Sequence, residues 1–478
     1  MLHTRYTVAA IAIALVTVSS SDPLAQPAAG RQVRDGSRAL EFAAAMSAHH
    51  LCAGLWVVGR DYQRSPDQII AEDMAPFPNL GWQDSFEYQV NQDRRTTTVS
   101  APHAVPRSAR YTGDQGCVIL PTGETDVHFT PIPLTRGTPD PTTREWPMGD
   151  RDARGTFAEV QQTGVEAALD WAMAQPQNTR AIVAVYNGRI IGERYAPGFT
   201  KDTPQLSWSE GKSLTATLIG LLVQQGHLNI EDPAPVPAWQ HEDDPRRTIR
   251  LKDLLQMSSG LDFTNLGLTG ATAFSEANEH MRVYFDGLDV FAHVLGQPTG
   301  IRPGSQWRYR NSDPLTLGWI IKETVEANGE EYLRFPQRAL FDRIGAYSPV
   351  LETDPYGHFI LSGYDYLSAR DWARFGLLYL WEGLWLGERI LPNDWAEFVS
   401  TPAPGDGGDG YGGLFWLNRG GAMDRVPPDA YWASGLMGQT TMIIPSRDLV
   451  VVRLGPSPGN TRPYLNGLVG RLLDAINN

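Results

Sequence analysis

A chain of 478 residues, 42% hydrophobic and 20% charged, has the make-up of a folded water-facing protein and is longer than one hydrophobic core ordinarily organises. Its net charge of -14, with only four lysines, gives a surface that repels nucleic acid and anionic lipid, and no basic run reverses that. Two units, or one large unit with insertions, are expected.

The first residues carry Arg5, an apolar stretch over about residues 8–18, then small residues and Asp22-Pro23-Leu24-Ala25. That stretch is short for a bilayer span and fits the core of a secretory signal peptide over residues 1–25, with an uncleaved anchor as the alternative. Once the signal is removed no membrane span is expected, and the protein is periplasmic or secreted. Cys52 and Cys117 then mature in an oxidising compartment, where a disulfide would close a loop of about 65 residues worth roughly 4 kcal/mol; two buried free thiols are the alternative.

Residues 26–150 read as an accessory region of short strands and many turns, with a Pro-rich exit through Pro131, Pro133, Pro139, Pro141 and Pro147. Pro66 after Ser65 marks a short helix, and the segments around 86–90 and 96–99 a hairpin. Residues 151–478 form the main unit. Ala181-Ile182-Val183-Ala184-Val185-Tyr186 and residues 189–195 flank Asn187-Gly188, a hairpin turn pair. A second apolar pair, residues 440–444 and 449–454, precedes a closing helix over about 462–476. Between them, over about 215–400, the chain is mostly helical: the stripe Leu214, Leu218, Leu221 and Leu222 stops at Gly226, Asp313 is the expected N-cap of a helix through Leu317, Ile320, Ile321 and Val325, and Ser368 with Asp371 makes a capping box. Strands from both ends sharing one antiparallel sheet, flanked by helices and facing an all-helical lobe, give an α/β (α+β) fold with a cleft and a β-rich N-terminal extension.

The chemistry centres on Ser209-Glu210-Gly211-Lys212. Serine needs a base to become nucleophilic, and a lysine one helical turn on lies on the same face; of the four lysines, only Lys212 has a hydroxyl residue three positions earlier. At a helix start, the Ser209 N–H is an unpaired donor and half of an oxyanion hole. Lys212 needs burial to act as base at neutral pH; a solvated helix lysine is the bland alternative. Tyr309-Arg310-Asn311 precedes the next helix, where a rigid tyrosine relays a proton and an amide orients substrate. Ala433-Ser434-Gly435-Leu436-Met437-Gly438-Gln439 leads into an apolar strand, and its glycines let a substrate lie along the strand edge.

This order of parts, with Leu254-Leu255-Gln256-Met257-Ser258-Ser259-Gly260-Leu261, Pro303-Gly304 and Ser368-Ala369-Arg370-Asp371-Trp372-Ala373-Arg374-Phe375-Gly376, resembles the serine β-lactamase and penicillin-binding-protein superfamily, in the class C β-lactamase-related branch that includes 6-aminohexanoate-dimer hydrolases. The resemblance covers about residues 180–478, and less specifically 52–117. It implies Ser209 as nucleophile, Lys212 as base, Tyr309 as partner acid or base, Asn311 as orienting amide, and the Ser209 and Leu436 N–H groups as the oxyanion hole, with no metal or other cofactor. Gly435, Arg310 and Tyr284 are further residues expected to line the substrate.

One departure bears on substrate. The family's third motif often begins with a cation, and here the register gives Ala433-Ser434-Gly435, which disfavours carboxylate-bearing β-lactams and D-alanyl peptides and favours an uncharged ester or amide; Arg310 is the residue able to compensate. An α/β-hydrolase lacks its Gly-x-Ser-x-Gly, because Ser207 stands two before Ser209, and the histidines show no metal-site spacing. The expectation is therefore an exported serine hydrolase acting on a small ester or amide through an acyl-enzyme. The alternatives are a β-lactamase or D-alanyl peptidase, and a non-catalytic binding or sensor protein that keeps the fold. Nucleic-acid partners are not expected, and oligomeric state is not legible.

Overall fold

The computed structural model describes residues 37–74, 85–137, 140–264 and 279–476. The expected signal peptide lies outside the described residues. The expected N-terminal hairpin is present, and the chain builds from it a four-stranded antiparallel sheet: β1 (Glu87–Asn91), β2 (Thr96–Ser100), β3 (Arg107–Tyr111) and β4 (Cys117–Ile119). The short helix at Pro66 is also present, with Ser65 accepting from the Gln68 N–H in a capping box.

Beside this sheet lies a 20-residue helix, Ser37–Trp56, that the sequence reading did not assign. Phe42, Ala45, Met46, Ala48, Leu51 and Cys52 are all buried, so the helix is enclosed rather than striped, and a helix apolar on every side leaves no 3.6-residue pattern to read. The surrounding segment, Arg38–Arg60, is long and apolar enough to cross a membrane, yet 83% of its apolar window is buried inside the protein, as in a core helix. Cys52 and Cys117 are joined in a disulfide that ties this helix to β4.

Beyond the extension come the hairpin β5 (Ala181–Tyr186) and β6 (Arg189–Tyr195), then the short strands β7 (Gln205–Leu206), β8 (Val350–Leu351) and β9 (Asp365–Leu367). The small hairpin β10 (Leu384–Trp385) and β11 (Glu388–Arg389) follows, then β12 (Trp416–Leu417), β13 (Tyr431–Gly435), β14 (Gln439–Ile444) and β15 (Leu449–Leu454). Strands from both ends of the main unit share one six-stranded sheet, β12-β13-β14-β15-β5-β6, antiparallel throughout. Both faces of its central strands are covered, and the period of two decides which residue meets which layer. Ile182, Ala184, Met442 and Val451 pack with Val165, Leu169, Leu468 and Leu472 of the helices Gln162–Ala174 and Arg462–Ala475. Val183, Val185, Val450 and Val452 join the opposite core with Trp372 and Phe375 of the helix Ala369–Leu380.

The helical part contains Gly211–Gln224, Glu279–Phe285, Val290–Leu295 and Ser312–Ala327. Gly226, at φ 77°, ends the first of these where the stripe predicted. The Ser312–Ala327 helix starts two residues earlier than Asp313 suggested: Asn311 is its N-cap, and Asp313 sits inside the first turn, where its carboxylate accepts from Ser259 (2.9 Å) and Ser312 (2.8 Å).

Candidate active site

The turn that carries Ser209 is built from strand pairing and one unusual backbone angle. Ser207 is bound twice to the Asp365 carbonyl, by its N–H (2.8 Å) and by its Oγ (2.6 Å), which fixes the end of β7 against β9. Trp208 then adopts φ 49°, a left-handed conformation that costs a bulky residue roughly 1–3 kcal/mol unless its surroundings impose it. Its buried ring lies 5.9 Å from Tyr284 and 5.7 Å from both Tyr364 and His50, so packing holds the turn. Ser209 follows on the single turn Trp208–Glu210, half-buried, directly before the Gly211–Gln224 helix.

Lys212 is 1% exposed, and its ammonium position is enclosed by two oxygens: Nζ lies 3.0 Å from Ser209 Oγ and 2.7 Å from the Ser362 carbonyl. Burial lowers its pKa to about 7, with Asp365 opposing the shift. At neutral pH a large share of the amine is therefore unprotonated and faces the serine hydroxyl. At 1% exposure Lys212 is not a solvated helix lysine, the alternative reading of the sequence.

Tyr309 converges from the loop before the next helix. Its hydroxyl is hydrogen-bonded to Ser209, its ring lies 5.0 Å from Lys212 Nζ, and Trp416 (5.5 Å) and Tyr411 (5.9 Å) wall it in. Burial raises its pKa, so the phenol stays protonated at neutral pH. Ser209, Lys212 and Tyr309 thus meet around one hydroxyl.

The remaining predicted residues divide. Tyr284, on the Glu279–Phe285 helix, donates to the Ser362 carbonyl at 2.8 Å, the same oxygen that accepts from Lys212, so the phenol and the amine meet at one carbonyl. Asn311 is buried, and its amide approaches the Tyr284 hydroxyl without a well-aligned bond. Arg310 does not line the cleft: it is 1% exposed, donates to the Arg308 and Leu261 carbonyls and faces Asp313 at 3.8 Å, so its charge is consumed inside the helical part. Gly435 ends β13 against the serine turn, and a Cβ there would stand 1.9 Å from the Ser207 carbonyl oxygen, so only glycine permits the approach. Leu436 follows, 45% exposed, and Met437 turns the chain at φ 63° into β14.

Two buried carboxyls beneath the turn carry no sequence signal. Asp365 presses on the helix start so closely that a Cβ on Gly211 would meet its Oδ2 at 1.7 Å. Burial raises its pKa well above the carboxylate range, as does Glu352, against the opposing charge of Lys212. Glu210 is 0% exposed, and burial likewise pushes its pKa up, with Thr441 opposing. Neither strand β9 nor the Ser362 carbonyl is recognisable as part of a site until the chain is folded. Elsewhere, Asp289, Asp354 and His358 bring ligand-type atoms within 4.8 Å of one another. His358 Nδ1 lies 3.2 Å and 3.1 Å from the two carboxylates, whose hydrogen bonds and charge raise its pKa to about 9, so an imidazolium between two anions accounts for the cluster.

Comparison with known proteins matches the family model described as Beta-lactamase to residues 167–470. The 6-aminohexanoate-dimer hydrolase of Paenarthrobacter ureafaciens is 24% identical over 362 residues, covering 70% of this chain and 87% of that protein. Among solved structures, a family VIII carboxylesterase superposes with a TM-score of 0.53 at 14% identity, covering 67% of this chain and 98% of its own. A penicillin-binding protein homolog from Caulobacter crescentus gives 0.52 at 14% identity, over 66% and 97% of the two chains.

Proposed function

This chain belongs to the Beta-lactamase family, and from that premise and the geometry around Ser209 we propose that it is an exported serine hydrolase cleaving an uncharged ester or amide through an acyl-enzyme. The observation that carries the proposal is the Lys212 amine, buried, with its pKa near 7, at 3.0 Å from Ser209 Oγ. In the acylation step Lys212 takes the Ser209 proton as Oγ bonds to the substrate carbonyl carbon. The oxygen of the tetrahedral intermediate is held by the Ser209 and Leu436 N–H groups. Tyr309 protonates the leaving oxygen or nitrogen as its bond to carbon breaks, and recovers a proton from the Lys212 ammonium. Water then attacks the acyl carbon by the same proton path, regenerating Ser209. Tyr284, through the Ser362 carbonyl, keeps the amine aimed at the hydroxyl.

Hydrolase relatives, one acting on an amide dimer and one a carboxylesterase by name, support the reaction class. The substrate charge is inferred from the register of the third motif, in which Ala433 stands where the family often has a cation, and from Arg310, the candidate substitute, which is buried and engaged with Asp313. The disulfide is compatible with export. A fluorophosphonate probe followed by mass spectrometry tests the nucleophile: one adduct at Ser209 is expected, and an unmodified protein points to a binding protein instead. Among p-nitrophenyl esters, linear aminohexanoate amides, D-alanyl peptides and nitrocefin, esters or amides are expected to lead. Nitrocefin turnover rivalling the best ester overturns the substrate assignment.

A further inference from the structure

A cavity of about 40 Å³ lies on the sheet side of the serine turn, enclosed by the N-terminal helix, β7 and the chain around Met437. Trp208 and Met437, the residues next to Ser209 and Leu436, form part of its wall, but Ser209, Lys212 and Tyr309 do not. Gln205, at the start of β7, lines it too. Gln205 is 4% exposed, and among the described residues neither its amide oxygen nor its amide nitrogen has a hydrogen-bond partner. A buried amide missing both partners is costly, because each group has given up water without replacement. The other amide on the cavity wall, Gln439, is satisfied: it exchanges bonds with the Gly455 N–H (2.8 Å) and carbonyl (2.9 Å). Of the two amides on the wall, Gln205 is thus the one without a partner among the described residues.

The charges around the cavity cancel. Asp73 pairs with Arg180 at 2.5 Å and with Arg64 at 2.9 Å, and Arg64 also pairs with Glu72 at 3.0 Å, so two guanidiniums meet two carboxylates. His50, also on the wall, has its pKa lowered to about 4 by burial, with His49 adding to the effect, and is neutral at physiological pH; burial raises the pKa of the Tyr366 phenol on the same wall, so it too is uncharged. A wall with no net charge gives no reason to take up an anion or a cation, whereas the Gln205 amide offers one donor and one acceptor side by side. At about 10–15 Å³ for each water-sized body, the volume holds roughly three, which is the size of a carboxamide group and too small for a whole substrate.

We propose that this cavity is a binding site for a neutral cis-amide group, a primary carboxamide or lactam, which pairs head-to-tail with the Gln205 side chain. The amide of the ligand donates N–H to Gln205 Oε1 and accepts from Gln205 Nε2. Because the site shares Trp208 and Met437 with the outer wall of the serine turn, an occupant sits directly behind the nucleophile without touching it.

The test uses the full chain carrying Ser209→Ala, so that binding is read without turnover and independently of whether Ser209 is a nucleophile. Propionamide is titrated while calorimetric heat is recorded, with intrinsic tryptophan fluorescence, to which all 14 tryptophans contribute, as a second signal and propionate and propylammonium as controls. Saturable binding of propionamide alone is expected, weakened about ten- to hundredfold by adding Gln205→Leu, the size of effect that follows from losing a buried hydrogen-bonded pair. Circular dichroism establishes that the Gln205→Leu protein is folded; should it not be, Gln205→Met serves in its place. The proposal is overturned by absence of saturation, by equal binding of propionate, by unchanged affinity after the Gln205 substitution, or by a crystal soaked with propionamide that holds only ordered waters beside Gln205.

Discussion

Replacing Lys212 by methionine separates what the buried amine does for catalysis from what it does to the fold. An amine that would ordinarily titrate near 10.5 is held at about 7 by burial, which corresponds to roughly 5 kcal/mol against its charged form at about 1.4 kcal/mol per pH unit. The folded-state pKa lies below the unfolded one, so between about pH 7 and 10.5 the unfolded chain binds the proton and the folded chain does not. Stability therefore rises with pH across that window, and below pH 7 the destabilisation is at its full size. Lys212→Met removes it: the variant is expected to melt higher than the parent at pH 6–7 by a margin that shrinks toward pH 10, discounted by the hydrogen bonds lost to Ser209 and the Ser362 carbonyl. Catalysis goes the other way. The second-order rate of fluorophosphonate labelling at Ser209 should follow the neutral amine, about half at pH 7 and about 1% at pH 5. Stopped-assay labelling and thermal melts across pH 5–10, on parent and variant, read both quantities. A labelling rate flat between pH 5 and 8, or a methionine variant that labels as fast as the parent, would refute Lys212 as the base; a lower melting temperature for the variant at pH 6 would refute its cost to the fold.

Tyr309→Phe keeps the ring against Trp416 and Tyr411 but removes the proton donor, and ester turnover should fall by about 10²–10⁴ with the melting temperature little changed; a loss under about threefold sinks the role. Burial raises the pKa of Asp365 and so favours its neutral form, which Asp365→Asn mimics; the variant should label at Ser209 within about threefold of the parent at pH 7, under 1 kcal/mol, and a much larger loss means the group works as an anion. Replacing both Cys52 and Cys117 by alanine opens a loop spanning 65 residues and should lower the unfolding free energy by roughly 4 kcal/mol in urea titrations, and an unchanged midpoint contradicts the stabilising role.

The sequence reading reached the parts whose physics is local. The hairpin around Asn187-Gly188, the apolar pair β14–β15 and the Ser209-to-Lys212 spacing are each written in a few adjacent residues, and each is in the structure. It missed parts defined by distant partners. The Ser37–Trp56 helix is enclosed on all sides and shows no stripe; Asp365 looks like any strand residue until Gly211 meets its Oδ2; the Ser362 carbonyl is a backbone atom, with no side chain to announce it. Arg310 illustrates the opposite error: it stands next to Tyr309 in the chain, but the turn into the Ser312–Ala327 helix points it at Asp313 and away from the substrate.

The extension explains how so unfavourable a set of groups survives in one place. A lysine with its pKa lowered to about 7, two buried carboxyls with theirs raised and a left-handed tryptophan are each costly, and the three titratable groups depend on exclusion of water from Lys212 and the carboxyls beneath it. The Ser37–Trp56 helix supplies that exclusion. His50 packs on Trp208, and His49 stacks on Tyr364 at 4.0 Å while facing Glu352 at 2.5 Å; the other oxygen of Glu352 accepts from the Cys117 N–H at 2.7 Å. Ala48 holds the extension's own sheet through the Thr97 hydroxyl at 2.7 Å. A continuous path of packed rings and hydrogen bonds thus runs from the disulfide to Tyr364, whose neighbour Asp365 fixes Ser207 through its carbonyl. On this argument the Ser37–Trp56 helix and the sheet packed beside it serve the proposed site by enclosing it: loosening them is expected to let water reach Lys212, return its pKa toward that of a solvated amine, and silence Ser209 at neutral pH before the main sheet unfolds.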